Sequence, residues 1–301
     1  MAGIAWVNGR LSAPEEAAIS PLDPGFMYGE GLFETMRAYE GRVFRLEQHL
    51  ERLMAAAEEL DLAAGWEPAP ARERLRAAVK EAVTASGLAE ASVRVTVTAG
   101  VGTPALRARE TSSCPTLVVL VRPLALPPKE QYQRGCDTVS VPAAQAPGTV
   151  LRRVKSLNYL DKLLAQREAK RRGADEAILV DADGFLVEGA MRNLFAVVGG
   201  KVLTPPLSRG LLPGITRQAV LEVAGRAGLP SEERDIALSE LQQADECFLT
   251  SSLAEILPVA SVDAHRMGAA APGPVTQRLT QGYRALVAEE LGLSAGPNRS
   301  G

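Results

Sequence analysis

The feature that most constrains this chain is its mixture of tight two-residue turns with long amphipathic stretches. "IAWVNGRLS" sets Asn8-Gly9 between two apolar runs, the strongest short hairpin signal a sequence carries. "GLFETMRAYEGRVFRL" repeats the scheme at Glu40-Gly41, "EAILVDADGFLVEG" turns at Asp183-Gly184, and "NLFAVVGGKVLTP" turns at Gly199-Gly200. Helical patterns lie between these hairpins. Leu46, Leu50, Leu53, Ala57 and Leu60 recur at helical spacing. "ARERLRAAVKEAVTASG" closes on Gly87, "LNYLDKLLAQREAKRRG" closes on Gly173, "GITRQAVLEVAGRAG" follows "LLPG", and a last helix covers about 275–291. The hairpins rule out a simple βαβ series. The expected class is α+β, with two domains built around mixed or antiparallel sheets.

"RPLALPPKE" is proline-rich and reads as the connection between them. This gives a smaller N-terminal α/β domain over 1–121, a linker over 122–133, a larger C-terminal domain over 134–292 and a disordered tail over 293–301. "VGTPALRARETSSCP" is a long polar loop, a kind of segment that is often functional.

With 46% hydrophobic and 23% charged residues over 301 positions, the chain can bury a sizeable core. A net charge of -3 offers no electrostatic reason to bind nucleic acid or an anionic membrane. No apolar run approaches the roughly 20 residues of a membrane helix, and "MAGIAWVNGR" lacks the basic-then-apolar pattern of a secretory signal. Cys114, Cys136 and Cys247 are too scattered for a disulfide frame and read as reduced thiols, so the expected location is the cytoplasm. His49 and His265 lie far apart, no cluster has metal-ligand spacing, and no metal is expected. "DADG" is no calcium loop, because its twelfth position is Arg192.

With few histidines available, "LRRVKSLNYL" becomes the centre of interest. Lys155 stands among small and apolar residues at what reads as a strand–helix junction. It is either a solvated charge or a desolvated amine of the kind Schiff-base chemistry requires. Arg152 and Arg153 would favour the neutral amine, and Tyr159 would share its helical face if the helix begins near Ser156. Glu188 is either a turn carboxylate in water or an acid paired with a protonated heteroaromatic nitrogen. Pro213-Gly214 before a helix leaves the amides of Ile215 and Thr216 available to an anion. Arg52, on an amphipathic helix, reads on its own as a solvated charge.

Taken in order, "YGEGLFETMRAYEGRVFRLEQHLERL", "KSLNYL", "DEAILVDADGFLVEGAMRNLF", "LTPPLSRGLLPGITR" and "SSLAEILPV" resemble the class IV, fold-type IV pyridoxal-phosphate enzymes over roughly residues 4–290. That group includes branched-chain and D-amino-acid aminotransferases, (R)-amine transaminases and 4-amino-4-deoxychorismate lyases. The resemblance implies a two-domain fold with pyridoxal 5'-phosphate between the domains. It makes Lys155 the Schiff-base lysine and proton shuttle, Glu188 the partner of the pyridine nitrogen, and Tyr159 a neighbour of the phenolic oxygen. Arg52 becomes a phosphate ligand with the amides of Ile215 and Thr216, and Ser252 stands where a threonine near the phosphate is common. It further implies a homodimer, small amino-acid and 2-oxo-acid substrates, and a substrate pocket lined by Tyr28, Phe33 and Arg94, with Arg107 and Arg109 of the polar loop as carboxylate contacts.

The reaction is less constrained. "KSLNYL" and "LLPGITR" resemble branched-chain aminotransferases, whereas Phe33-Glu34-Thr35 and Ser251-Ser252-Leu253 resemble the lyase group. Thr96 stands where D-amino-acid aminotransferases carry the histidine of an Arg-x-His pair. Amino-group transfer between an amino acid, branched-chain-like or other, and a 2-oxo acid is the reading adopted. A lyase giving 4-aminobenzoate and pyruvate is the alternative, and a non-catalytic cofactor-binding protein is the third.

Overall fold

The computed structural model describes residues 3–62, 68–101, 115–144 and 149–294. It divides into two compact units, Met1–Ala125 with Val154–Asn158, and Leu126–Arg153 with Tyr159–Gly301. The five-residue segment that carries Lys155 therefore packs with the first unit although both its neighbours in sequence pack with the second. The polar loop with Arg107 and Arg109, and the tail from 295, lie outside the described residues.

The first unit contains β1 (Ile4–Val7), β2 (Arg10–Ser12), α1 (Pro24–Tyr28), β3 (Gly31–Tyr39), β4 (Arg42–Val43), α2 (Leu46–Glu59), α3 (Pro68–Ser86), β5 (Ala91–Thr98) and β6 (Leu117–Pro123). Its six strands form one antiparallel sheet in the order β2-β1-β6-β5-β3-β4. Alternation along β5 buries Ala91, Val93, Val95 and Val97, while Ser92, Arg94 and Thr96 lie half-buried on the opposite face. Leu50, Leu53 and Ala57 of α2 and Leu75, Val79 and Ala82 of α3 are buried, each large side chain contributing about 1.5–3 kcal/mol. Trp6 joins this layer, with Nε1 donating to Glu81 at 2.8 Å.

The extended connection between the units is 124–128, since β6 runs to Pro123 and α4 (Lys129–Arg134) begins soon after. The second unit continues with β7 (Cys136–Pro142), α5 (Val150–Arg153), α6 (Leu160–Arg171), β8 (Glu176–Val180), β9 (Leu186–Gly189), β10 (Asn193–Val198), β11 (Lys201–Thr204), α7 (Ile215–Arg226), β12 (Ser231–Glu233), α8 (Leu238–Leu241), β13 (Glu246–Ser251), β14 (Glu255–Val262), β15 (His265–Arg266) and α9 (Pro274–Leu291). Nine strands form a mixed sheet in the order β12-β11-β10-β13-β14-β7-β8-β9, with β15 on β14. Three pairings are parallel, β11 with β12, β14 with β7, and β7 with β8. The sheet curls, so β9 at its far end lies beside β10. One face holds an apolar cluster of Ile178, Leu186, Leu194, Leu249, Leu257 and Cys247. On the other, Phe195 and Phe248 stack at 4.9 Å, and α7 and α9 pack against β13.

Candidate active site

Lys155 does not sit at a strand–helix junction, and it does not share a helical face with Tyr159. It lies between the short helix α5 and α6, and α6 starts only at Leu160, with Tyr159 as its N-cap. The cause is a backbone pairing that residue types do not announce. Phe33 N donates to Lys155 O and Leu157 N donates to Gly31 O, both at 2.9 Å, so residues 155–157 run as a short extra strand against β3. Those peptide groups are spent on a ladder and cannot begin a helix.

The pairing sets Lys155, half-buried, over Phe33. Its Nζ is 4.7 Å from the ring centroid, and the Arg94 guanidinium stacks 3.7 Å from the same ring. Phe33 and Arg94 meet because β3 and β5 are in register, Phe33 opposite Thr96 and Thr35 opposite Arg94, which puts these four side chains on one face. Tyr28, at the end of α1, is exposed. The short helix is held by Asp23, whose carboxylate accepts from Gly25 N and from the hydroxyls of Thr98 and Thr116 at 2.6–2.7 Å.

Arg52 is engaged within the first unit. Its Nε and Nη2 each donate to Glu34 at 2.7 Å, and His49 lies 2.8 Å from the same carboxylate. His49 and Arg52 are three apart on α2 and share a face. Burial works to raise the Glu34 pKa, yet Arg52 and His49 carry it far below the usual carboxylate range. Burial, with the charges of Arg52 and Lys155, lowers the His49 pKa against the opposing pull of Glu34. Sequence reading missed this network. Its signal was a carboxylate inside the strand Gly31–Tyr39, of which every residue but Thr35 is buried.

In the second unit, Glu188 is buried near the end of β9. Lys162 Nζ donates to its Oε1 at 2.6 Å, while Leu212 N and Asn193 Nδ2 stand 3.3 and 3.4 Å from Oε2. Asn193 donates to Leu212 O at 2.9 Å, fixing the loop before α7. A Cβ on Gly214 would lie 1.9 Å from Asn193 Oδ1, so only glycine lets the loop approach this closely. Gly214 is the N-cap of α7 and no side chain caps the helix, whose first residues Ile215 and Thr216 are buried. Across the ladder, Asn193 faces Thr250, and the buried Thr250 Oγ1 has no hydrogen-bond partner among the described residues. Ser252 is half-buried in the turn after β13. Tyr159 is half-buried, with Lys162 Nζ 5.7 Å from its ring centroid. Arg152 is buried in this unit and donates to Arg209 O at 3.3 Å; burial lowers its pKa against the charges of Glu188 and Asp181.

A curled nine-stranded sheet with a buried carboxylate beside an uncapped helix start invites comparison with known proteins. The family model of class IV amino-transferases matches residues 31–262. The chain belongs to that family. The branched-chain-amino-acid aminotransferase of Escherichia coli K12 is 31% identical over 291 residues, 95% of this chain and 93% of the relative. D-alanine aminotransferase of Bacillus licheniformis is 32% identical over 272 residues, 90% and 93% of the two chains. In structure, a branched-chain aminotransferase from Thermoproteus uzoniensis, solved with norvaline, matches with a TM-score of 0.85 at 33% identity, covering 98% and 97%. Pyridoxal phosphate is the cofactor of class IV aminotransferases, this one included. The residues fit such a group. An orphaned buried hydroxyl at Thr250 and an uncapped helix start suit a phosphate, and a buried carboxylate suits a ring nitrogen.

Proposed function

We propose that this aminotransferase moves the amino group of a medium-sized aliphatic amino acid to a 2-oxo acid through Lys155. The observation that carries the reading is the meeting of Glu188, Asn193 and the α7 N-terminus within one unit, a carboxylate and a bare set of amides joined through Leu212. Bound pyridoxal phosphate supplies an aldehyde that captures amines and a ring that withdraws electrons from the substrate's α-carbon. With the cofactor bound, Lys155 Nζ would be the amine that holds its aldehyde and the base that takes up and returns the substrate's α-proton. Glu188 keeps the ring nitrogen protonated. The amides of Ile215 and Thr216, with Ser252 and Arg52, bind the phosphate, and the Glu34–His49 pair fixes the Arg52 side chain. Tyr159 donates to the phenolic oxygen. Phe33 orients Lys155 and Arg94, and Arg94 binds the substrate carboxylate. Arg107 and Arg109 are proposed carboxylate contacts from the loop outside the described residues, and Tyr28 a pocket residue.

The aliphatic preference is supported by the relatives named for branched-chain amino acids and by norvaline in the structural neighbour. We further propose a cytoplasmic homodimer. Each unit exposes large apolar side chains that a monomer has no use for, Leu22 and Phe26 in the first, Leu160 and Leu164 in the second. Cys136 and Cys247 are buried free thiols, in keeping with a reducing compartment.

The test offers holoenzyme a panel of L- and D-amino acids with 2-oxoglutarate or pyruvate, and separately aminodeoxychorismate. A 2-oxo-acid product that requires an acceptor is expected. Pyruvate with 4-aminobenzoate and no acceptor would overturn transfer in favour of elimination. Borohydride treatment and peptide mapping should find the pyridoxyl adduct in peptide 151–160; an adduct elsewhere removes Lys155 from the mechanism.

A further inference from the structure

The two oxygens of Glu188 are held unequally. Oε1 receives a short charge-assisted bond from Lys162 at 2.6 Å, whereas among the described residues Oε2 has only the two contacts at 3.3 and 3.4 Å, at the long limit of hydrogen bonding. Asn193 Nδ2 makes its shorter bond to Leu212 O instead, so Oε2 keeps acceptor capacity. Lys162 reaches Glu188 from the first turn of α6, and its side chain is largely enclosed, as is the carboxylate. Burial pulls the Lys162 pKa down, but the charge of Glu188, with Tyr159, the Glu188 hydrogen bond and Asp161 behind it, more than reverses the effect, so the lysine is a cation. A buried cation joined to the carboxylate assigned to the ring nitrogen is a chemical statement about that nitrogen.

We propose that Lys162 is a positioning residue that fixes Glu188 by Oε1 and presents Oε2 to the ring nitrogen, so that the carboxylate meets the cofactor as half of an ion pair. The inference rests on Glu188 being the ring-nitrogen partner. A lone buried carboxylate would hold the ring proton tightly. Sharing the negative charge with Lys162 weakens that hold, and the ring's electron demand is set by the pair. The other charged and titratable groups around the pair are Arg152 from α5 and Asp161 and Tyr159 from the start of α6. Lys162 is the cation that bonds Glu188 directly, at 2.6 Å.

The experiment compares wild-type, Lys162→Met, Lys162→Arg and Glu188→Gln holoenzymes by pH titration of the visible cofactor band and by the rate of cofactor release on dialysis. Removing a cation beside the ring favours the protonated form, so Lys162→Met should raise the titration midpoint by about one pH unit. Lys162→Arg should bring the midpoint back to within a few tenths of wild type. A lysine that only supports packing would leave the midpoint where it was. Glu188→Gln should lower the midpoint and speed release about tenfold, the loss of one charge-assisted bond. Wild-type behaviour of Glu188→Gln would remove the ring-nitrogen role itself and this inference with it. A Glu188→Gln effect alongside an unmoved Lys162→Met midpoint would overturn the role of Lys162 alone. Should the methionine variant fail to fold, Lys162→Gln carries the same comparison, with the same midpoint shift expected.

Discussion

Two helices pack against the same strand, β13, and begin in opposite ways. At the start of α9, Gly273 leaves room for Glu246, since a Cβ there would lie 2.3 Å from that carboxyl carbon. The buried Glu246 accepts from Val275 N at 2.9 Å, Thr276 N at 2.7 Å and the Thr276 hydroxyl at 2.6 Å. The start of α7 also follows a glycine held against a β-strand side chain, but that side chain is the neutral Asn193, whose amide is turned to Leu212 O. Glu246 and Thr250 project from one face of β13 by the two-residue period; the first accepts three hydrogen bonds and the hydroxyl of the second has no partner among the described residues. The chain closes one helix start with its own anion and leaves the other open. A helix start that is buried and uncapped costs stability until an anion arrives, and the difference supports the proposal that α7 is the end that takes the phosphate.

The comparison breaks most easily at Glu246. Glu246→Ala leaves two buried donors and a half-buried one without this acceptor and should cost about 3 kcal/mol of stability, read as a lowered urea midpoint, with cofactor content unchanged. A loss of cofactor without a loss of stability would erase the distinction between the two helices. Next in size, Gly214→Ala must displace Asn193, an overpacking cost of about 1–3 kcal/mol; unlike the first variant, it should also release pyridoxal phosphate at least several-fold faster on dialysis. The paired hydroxyls sharpen the contrast. Thr276→Val should lose about 1 kcal/mol for its bond to Glu246, whereas Thr250→Val should be nearly neutral in cofactor-free protein and weaken cofactor retention in the holoenzyme. Equal stability losses at the two threonines would contradict the picture. The smallest effect is that of free phosphate, which should raise the melting temperature of cofactor-free wild type by the equivalent of roughly 1 kcal/mol or less and leave Gly214→Ala unmoved at matched ionic strength.

Much of the architecture was legible because its determinants are local. Asn8-Gly9, Asp183-Gly184 and Gly199-Gly200 turn where their conformational freedom allows, with φ of +48° at Asn8 and between +57° and +99° at the four glycines. Leu50, Leu53 and Ala57 face inward because their spacing is that of a helix. Lys155 and Glu188 stood out as chemistry-bearing residues in settings where such residues need a reason. Lys162 and Asn193 did not, because each looks ordinary in its own segment. Lys162 reads as a charge on a polar helix and Asn193 as the polar start of an apolar strand. Their partners, Glu188 and Leu212, are 26 and 19 residues away, and no local spacing relates them.

The sequence by itself determined the turns, the helices, the faces each helix buries and the presence of an amine, a carboxylate and a glycine-led helix start. These depend on steric limits at single residues and on periodicities shorter than one element. Tertiary structure alone decided that residues 155–157 extend along β3 instead of opening α6, and that the loop before α7 brings Leu212 to Glu188 and Asn193. Both outcomes turn on peptide groups that pair with segments distant in the chain, the first with the backbone of β3 and the second, at Leu212, with the side chains of Glu188 and Asn193, and only the surrounding packing selects those partners.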